Sequence, residues 1–184
     1  MREYILTLIN ELEPYDQLEE SHKRDAITWV RSSAPLYRIQ KPDVPPKHLV
    51  SYFAIFDPEN NKILLQDHLL AQLWVPAGGH IDPNEDPAET VRRECDEELG
   101  IPATFLHDKP QFITVTKTNG QGEHTDVSLW YALKANEASP LTVEPGKFAE
   151  VRWWNIDDVL QTPIDQFDPG LHRFITKLQT ARII

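Results

Sequence analysis

Asp86-Pro87-Ala88-Glu89 is a start signal that leaves an α-helix as the reading of the residues after it. Asp86 is an N-cap, Pro87 fits the first helical position, where its missing amide costs nothing, and Glu89 stands where a capping box reaches back. Gly100 supplies the stop. Between them Ala88, Val91, Cys95 and Leu99 recur at three- and four-residue steps, so they form one stripe that faces a core. Glu94, Glu97 and Glu98 fall on a neighbouring face. Carboxylates a turn apart on a helix repel by about 0.2–0.5 kcal/mol per pair. A cation removes that penalty, while a plain solvated face simply tolerates it.

The stretch before the helix separates these two readings. Leu73-Trp74-Val75 is apolar and ends in Pro76-Ala77-Gly78-Gly79, where two glycines let the carbonyls and amides of a loop approach a ligand. A glycine loop followed by clustered carboxylates is an oxygen-only donor set, which suits Mg²⁺ or Mn²⁺, and magnesium is bound by few carboxylates together with substrate phosphates. Gly78, Gly79, Glu94, Glu97 and Glu98 are the candidate metal-holding residues. Trp74 and His80, at either end of the loop, are candidate substrate contacts.

Gly79, Glu85, Arg93, Glu94, Cys95, Glu97, Glu98, Gly100 and Ile101 match the signature of the Nudix hydrolases position for position. Cys95 stands where that signature has an aliphatic residue, and a free thiol packs as a small hydrophobe. The resemblance implies an α+β Nudix fold, a mixed β-sheet between α-helices. It also implies cleavage of a pyrophosphate linked to another group, with divalent metal on the loop-helix-loop. By the same resemblance Glu94, Glu97 and Glu98 are catalytic, and Arg93 and Glu85 form an ion pair that orients the loop and helix. Many members draw a further acidic group from the loop before a late strand. Glu144 and Glu150 are the candidates here, with Glu123 third.

The chain of 184 residues is long enough for one domain with a sizeable core. A net charge of −11 argues against a broad nucleic-acid surface but not against phosphate substrates, which metal ions neutralise locally. One cysteine gives no internal disulfide and fits a cytoplasmic location. The first residues lack the apolar run of a signal peptide, and no later run is long enough for a bilayer.

Residues 1–47 read as an N-terminal helical extension with a connector, and 48–184 as the catalytic domain. Ile5, Leu8, Ile9 and Leu12 share one helical stripe, and residues 16–33 form a second helix with Ala26, Trp29 and Val30 inward. The pair caps the core, builds a homodimer surface or joins the substrate pocket, with capping the favoured role. Pro35, Pro42, Pro45 and Pro46 make 34–47 an irregular connector. Strands are expected over 49–56, 62–66, 104–106, 111–117, 124–133 and 151–154, with a glycine turn at 119–122. Helices follow from Asp157 and from Asp168-Pro169, the latter burying Leu171, Phe174, Ile175 and Leu178.

The strand at 124–133 places Thr125, Val127, Leu129, Tyr131 and Leu133 on one face and His124, Asp126, Ser128 and Trp130 on the other. The second face begins polar and ends apolar, as a strand opening into a cleft would. His124 and Asp126 are therefore candidates for substrate contact or proton handling, the other reading being an exposed strand end; His68 reads as an exposed loop histidine or a substrate contact. Glu123-His124 with Asp126 is faintly similar to the isopentenyl diphosphate isomerases, which share the fold. The expected activity is Mg²⁺-dependent hydrolysis of a nucleoside diphosphate linked to a moiety X, or of a nucleoside triphosphate. The alternatives are a noncatalytic nucleotide-binding or regulatory module and an isoprenoid diphosphate isomerase.

Overall fold

The computed structural model describes residues 1–118, 124–143 and 145–184. The glycine turn expected at 119–122 and the acidic candidates Glu123 and Glu144 lie outside the described residues.

The apolar run from Leu49 becomes β1 (Lys47–Asp57), which passes through the middle of a seven-stranded mixed sheet and is buried along most of its length. Burial on both faces is what a continuous apolar run requires. On one side β1 runs parallel to β6 (His124–Lys134), from Lys47 opposite Thr125 to Phe56 opposite Lys134, and β6 pairs antiparallel with β5 (Phe112–Thr118). The other side of β1 is shared between two strands. Ile55–Asp57 pairs with β2 (Lys62–His68), whereas Val50–Phe53 pairs with β4 (Ala77–His80). After Leu64, β2 leaves β1 and takes β3 (Leu73–Val75), while its far edge pairs with β7 (Phe148–Asn155). The sheet thus forks between β1 and β2, and the fork opens a cleft.

Each face of the sheet carries its own core. Leu49, Phe53, Val127, Leu129 and Tyr131 pack beneath α1 (Arg2–Glu11), α2 (Gln17–Arg31) and α3 (Pro87–Leu99). Ala54, Phe56, Trp130 and Ala132 pack beneath α4 (Ile156–Gln161) and α5 (Leu171–Thr180). The alternation expected along β6 and the opposite directions of Trp153 and Trp154 both follow from this layering. Ile5, Ile9 and Leu12 of the first helical segment, with Ala26 and Val30 of α2, enter the same cluster as Val91, Cys95 and Leu99. The N-terminal pair therefore caps the core.

Polar contacts fix that cap. Glu19 of α2 is fully buried; it accepts from the amide of Tyr15 at 2.7 Å, from the amide of Ile113 on edge strand β5 at 3.3 Å, and from Lys177 Nζ on α5 at 2.8 Å. An edge-strand amide that would otherwise seek another chain is thereby satisfied. Asp16 caps α2 through the Glu19 amide at 2.8 Å and also receives Arg173 Nε and Nη2 at 2.7 and 2.6 Å.

Some local expectations change. Gly78 and Gly79 lie in a strand, not a loop, because β1 has a free edge to pair with after β2 departs. The strand expected at 104–106 is reduced to a bridge between Phe105 and Leu133. Asp86 accepts from the Ala88 amide at 2.8 Å, but Glu89 turns to Arg92 at 2.8 Å, an i,i+3 cation within reach of its side chain, instead of closing a capping box. Helix α5 begins at Leu171, because Asp168 Oδ1 accepts from Gly170 N at 2.7 Å and holds a turn first.

Candidate active site

A cleft of about 800 Å³ opens at the fork and is lined from β1, β2, β4, α3 and the connector by Tyr52, Gln66, Gly79, Glu94 and Arg38 among others. Helix α3 presents its carboxylates there because its apolar stripe is anchored: Val91, Cys95 and Leu99 are fully buried. Glu98 follows Cys95 by three residues and is drawn in as well, with 1 % of its side chain exposed; it accepts from Gln66 Nε2 at 3.2 Å and pairs with Lys147 Nζ. Glu94 is 12 % exposed and Glu97 57 %. Glu94 and Glu98 line the cleft, whereas Glu97 is not among its lining residues and meets Arg93 Nη1 at 3.5 Å.

Arg93 ties this arrangement together. Its Nε and Nη2 donate to the two oxygens of Glu85, each at 3.0 Å, its Nη1 donates to Glu94 Oε1 at 2.6 Å, and Nη2 also reaches the His80 carbonyl at 3.2 Å. Glu85 Oε2 further accepts from Asp82 N at 3.0 Å and Thr90 Oγ1 at 2.7 Å. Burial alone would raise the Glu85 carboxyl, but Arg93 and these donors outweigh it and hold the group down to about 2. For Glu94 the balance is reversed: burial dominates Arg93, and its carboxyl is raised.

The donor chemistry suits a hard divalent cation. Glu94 and Glu98 offer carboxylate oxygens in a largely buried setting, where a cation would favour their charged forms, and the strand backbone of Gly78-Gly79 borders the same cleft. A Cβ on Gly79 would lie 2.0 Å from Glu94 Oε1, so the missing side chain makes room for that carboxylate. A Cβ on Gly78 would lie 2.7 Å from the Ser51 carbonyl, so this glycine permits close strand pairing.

His80, His124 and Asp126 also line the cleft. Burial first, then the neighbouring Arg38 and His48, push the His80 imidazole down to about 3. Trp74 and Glu150 are not brought to this group. Trp74 meets the Trp154 ring edge-on at 5.1 Å beneath the Arg152 guanidinium, and Glu150, 51 % exposed on β7, faces Arg152 at 3.8 Å.

Other lining residues carry little signal in the sequence. Arg38 and Asp43 come from the proline-rich connector, where no periodicity marks them. Lys147 enters from the loop before β7, where the family resemblance implies a carboxylate. Phe148 follows it and meets His68 edge-on at 5.8 Å. His68 Nδ1 accepts from the amides of Leu70 and Ala71, both at 3.2 Å, which places this half-buried histidine at the cleft wall. His48 is fully buried at the head of β1, and a lone histidine before an apolar run was the available clue.

Comparison with known proteins agrees with this geometry. The chain is 35% identical over 100 residues to an uncharacterized Nudix hydrolase of Rhodococcus erythropolis, an alignment that takes in 50% of this chain and 53% of that protein. It therefore spans about half the length of that relative. It is 26% identical over 112 residues to the CTP pyrophosphohydrolase of Escherichia coli strain K12, covering 61% of this chain and 77% of that one. The crystal structure of a MutT NUDIX hydrolase from Burkholderia pseudomallei superposes with a TM-score of 0.52 at 24% identity, over 72% of this chain and 96% of that one, which is a likeness of fold. The model of the NUDIX domain matches residues 46–178, a span that contains the fork, the glycine strand and the acidic helix, and the chain belongs to the Nudix family.

Proposed function

We propose that the protein is a Mg²⁺-dependent pyrophosphohydrolase of the cytoplasm, acting on a nucleoside diphosphate linked to X or on a nucleoside triphosphate. The observation that carries this reading is the convergence of Glu94 and Glu98 on one cleft, with Arg93 holding Glu94 and Lys147 on Glu98.

Glu94 and Glu98, with Glu97 and a carbonyl of Gly78 or Gly79, are the residues that would hold the ion. Bound there, a divalent ion supplies an acidified water and positive charge against the phosphoryl oxygens. Arg93 keeps Glu94 in register and itself stays out of the chemistry. A nearby carboxylate, from the helix or from the later loop, would take the proton of the attacking water. Arg38 and Lys147 place cationic groups at the cleft wall, where the charge of a diphosphate is met, and Tyr52 and Phe148 offer aromatic surface to a base or sugar.

The test is turnover of a panel comprising ADP-ribose, nucleotide sugars, dinucleoside polyphosphates, NADH, and normal and oxidised dNTPs, with and without Mg²⁺ or Mn²⁺, products being read by mass. One substrate class should be cleaved at the anhydride, with at least a hundredfold loss in Glu98→Gln. A folded protein that binds these compounds and cleaves none would overturn the reading. So would rearrangement of an isoprenoid diphosphate without phosphate release.

A further inference from the structure

Beside the acidic helix, the same cleft holds a second group of potential ligands with different chemistry. His48, Asp126 and His80 are brought together by sheet register. His48 lies directly opposite Asp126 in the parallel β1–β6 pair, and His80 on β4 lies opposite Val50, two residues along β1 and on the same face. His48 Nε2 is 3.1 Å from Asp126 Oδ1 and 3.0 Å from His80 Nε2. His124 and Asp43 extend the group: His124 Nε2 is 3.5 Å from Asp126 Oδ1, and its Nδ1 is 3.4 Å from Asp43 Oδ2.

Hydrogen bonding alone leaves this cluster unsatisfied. His48 Nδ1 lies 2.8 Å from the Pro45 carbonyl, which can only accept, so Nδ1 carries a proton and Nε2 of the neutral ring presents its lone pair. Fixing one imidazole nitrogen on a backbone carbonyl is how proteins aim the other at a metal. That Nε2 faces a second imidazole nitrogen and a carboxylate. Asp126 Oδ1 is buried and, among the described residues, has no hydrogen-bond partner despite its short distance to His48. A single proton links two of these atoms at a time, whereas a cation engages all three at once. Facing ligand atoms of His48, His80 and Asp126 all lie within 4.8 Å of one another, as do those of Asp43, His48 and His124.

We infer that His48, His80 and Asp126 form a binding site for a first-row transition-metal ion such as Zn²⁺, separate from the carboxylate site on α3, with His124 and Asp43 completing it. Imidazole nitrogens with a carboxylate select Zn²⁺ and its neighbours over Mg²⁺, which prefers oxygen alone. His80 and Asp126 line the cleft while His48 is fully buried next to them, so an ion held by the three would keep positions open to the cleft, the pattern of an ion that touches substrate. The Arg93 bond to the His80 carbonyl joins the strand of one site to the helix of the other.

The test needs no substrate. The full-length protein is stripped with chelator, loaded with Zn²⁺ in the presence of millimolar Mg²⁺, passed through a desalting column and assayed for metal by mass spectrometry, with Co²⁺ absorption reporting the ligand field. Wild type should retain one Zn²⁺ per chain and show Co²⁺ bands of mixed nitrogen and oxygen ligation. His80→Gln and Asp126→Asn should bind at least tenfold more weakly, while Glu94→Gln/Glu98→Gln should retain the ion; circular dichroism confirms that each variant is folded. Retention by folded His80→Gln and Asp126→Asn, or its loss in Glu94→Gln/Glu98→Gln, would overturn the separate site. Folded wild type that retains none of Zn²⁺, Co²⁺, Ni²⁺ or Mn²⁺ would show a shared-proton network instead. Because binding is read directly, an inactive panel above leaves this result intact.

Discussion

Replacing Arg93 by Ala removes no proposed ligand, yet it should damage the metal site and the fold together. The guanidinium makes two parallel bonds to Glu85 and one to Glu94, all charge-assisted, with 30 % of the arginine side chain and 18 % of Glu85 exposed. Deleting one partner of a buried pair costs about 3–5 kcal/mol, and partial exposure brings this to about 3. The Glu85 carboxyl is held at about 2, from an ordinary 4.5, by Arg93 together with the Asp82 amide and the Thr90 hydroxyl, a joint contribution of about 3 kcal/mol at 1.36 per pH unit. For a chain of this size a loss of about 3 kcal/mol is a drop in Tm of roughly 6–12 °C. The sign with pH follows from the depressed carboxyl. Its contribution is fully present above about 4.5 and is lost as pH falls toward 2, so the wild-type advantage over Arg93→Ala should shrink across that window. Melting curves from pH 7 to pH 2.5, with Mg²⁺ titrations of activity at pH 7.5, provide the measurement. A Tm difference under 2 °C with unchanged Mg²⁺ dependence would refute the reasoning.

Three further outcomes are expected. Gly79→Ala should leave Tm within a few degrees of wild type but raise the Mg²⁺ needed for half-maximal turnover at least tenfold, because the new methyl would sit 2.0 Å from Glu94 Oε1 and the carboxylate must move; activity titrations decide this. Glu19→Gln should cost about 3 kcal/mol by leaving the Lys177 ammonium without its carboxylate in a largely dry site, read by urea unfolding. Asp16→Asn should cost about 1 kcal/mol after allowance for solvent. Arg173 holds the Asp16 carboxyl down to about 2, so that difference should persist above about 4 and close as the solution is acidified, measured by thermal melts.

The acidic helix was legible because each of its signals is local: cap, proline, stripe and stop fall within a few turns, and the structure returns α3 with those bounds. The alternation along β6 was equally readable, since period two has one structural meaning and burial on both faces matches it. What escaped depends on partners distant in the chain. Gly78 and Gly79 resemble a loop until β1 is known to need a second partner there. His48 is unremarkable until Asp126 arrives opposite it. Arg38 and Lys147 sit in segments without periodicity, so nothing in their neighbours reveals that they face one cleft.

The parallel union of β1 and β6 also bears on how the chain is made. Residues 47–56 find their partners at 125–134, so the middle of the sheet waits for all the intervening chain to leave the ribosome. Translation at about 5–20 residues per second makes that interval several seconds. Meanwhile the apolar run from Leu49 to Phe56 has the preceding helices, β2, and later β4 and α3, to shield it, but its β6 side stays unpaired. A stall between residues 57 and 124 would leave a hydrophobic strand without its partner, and such a nascent chain should be the form that chaperones hold longest.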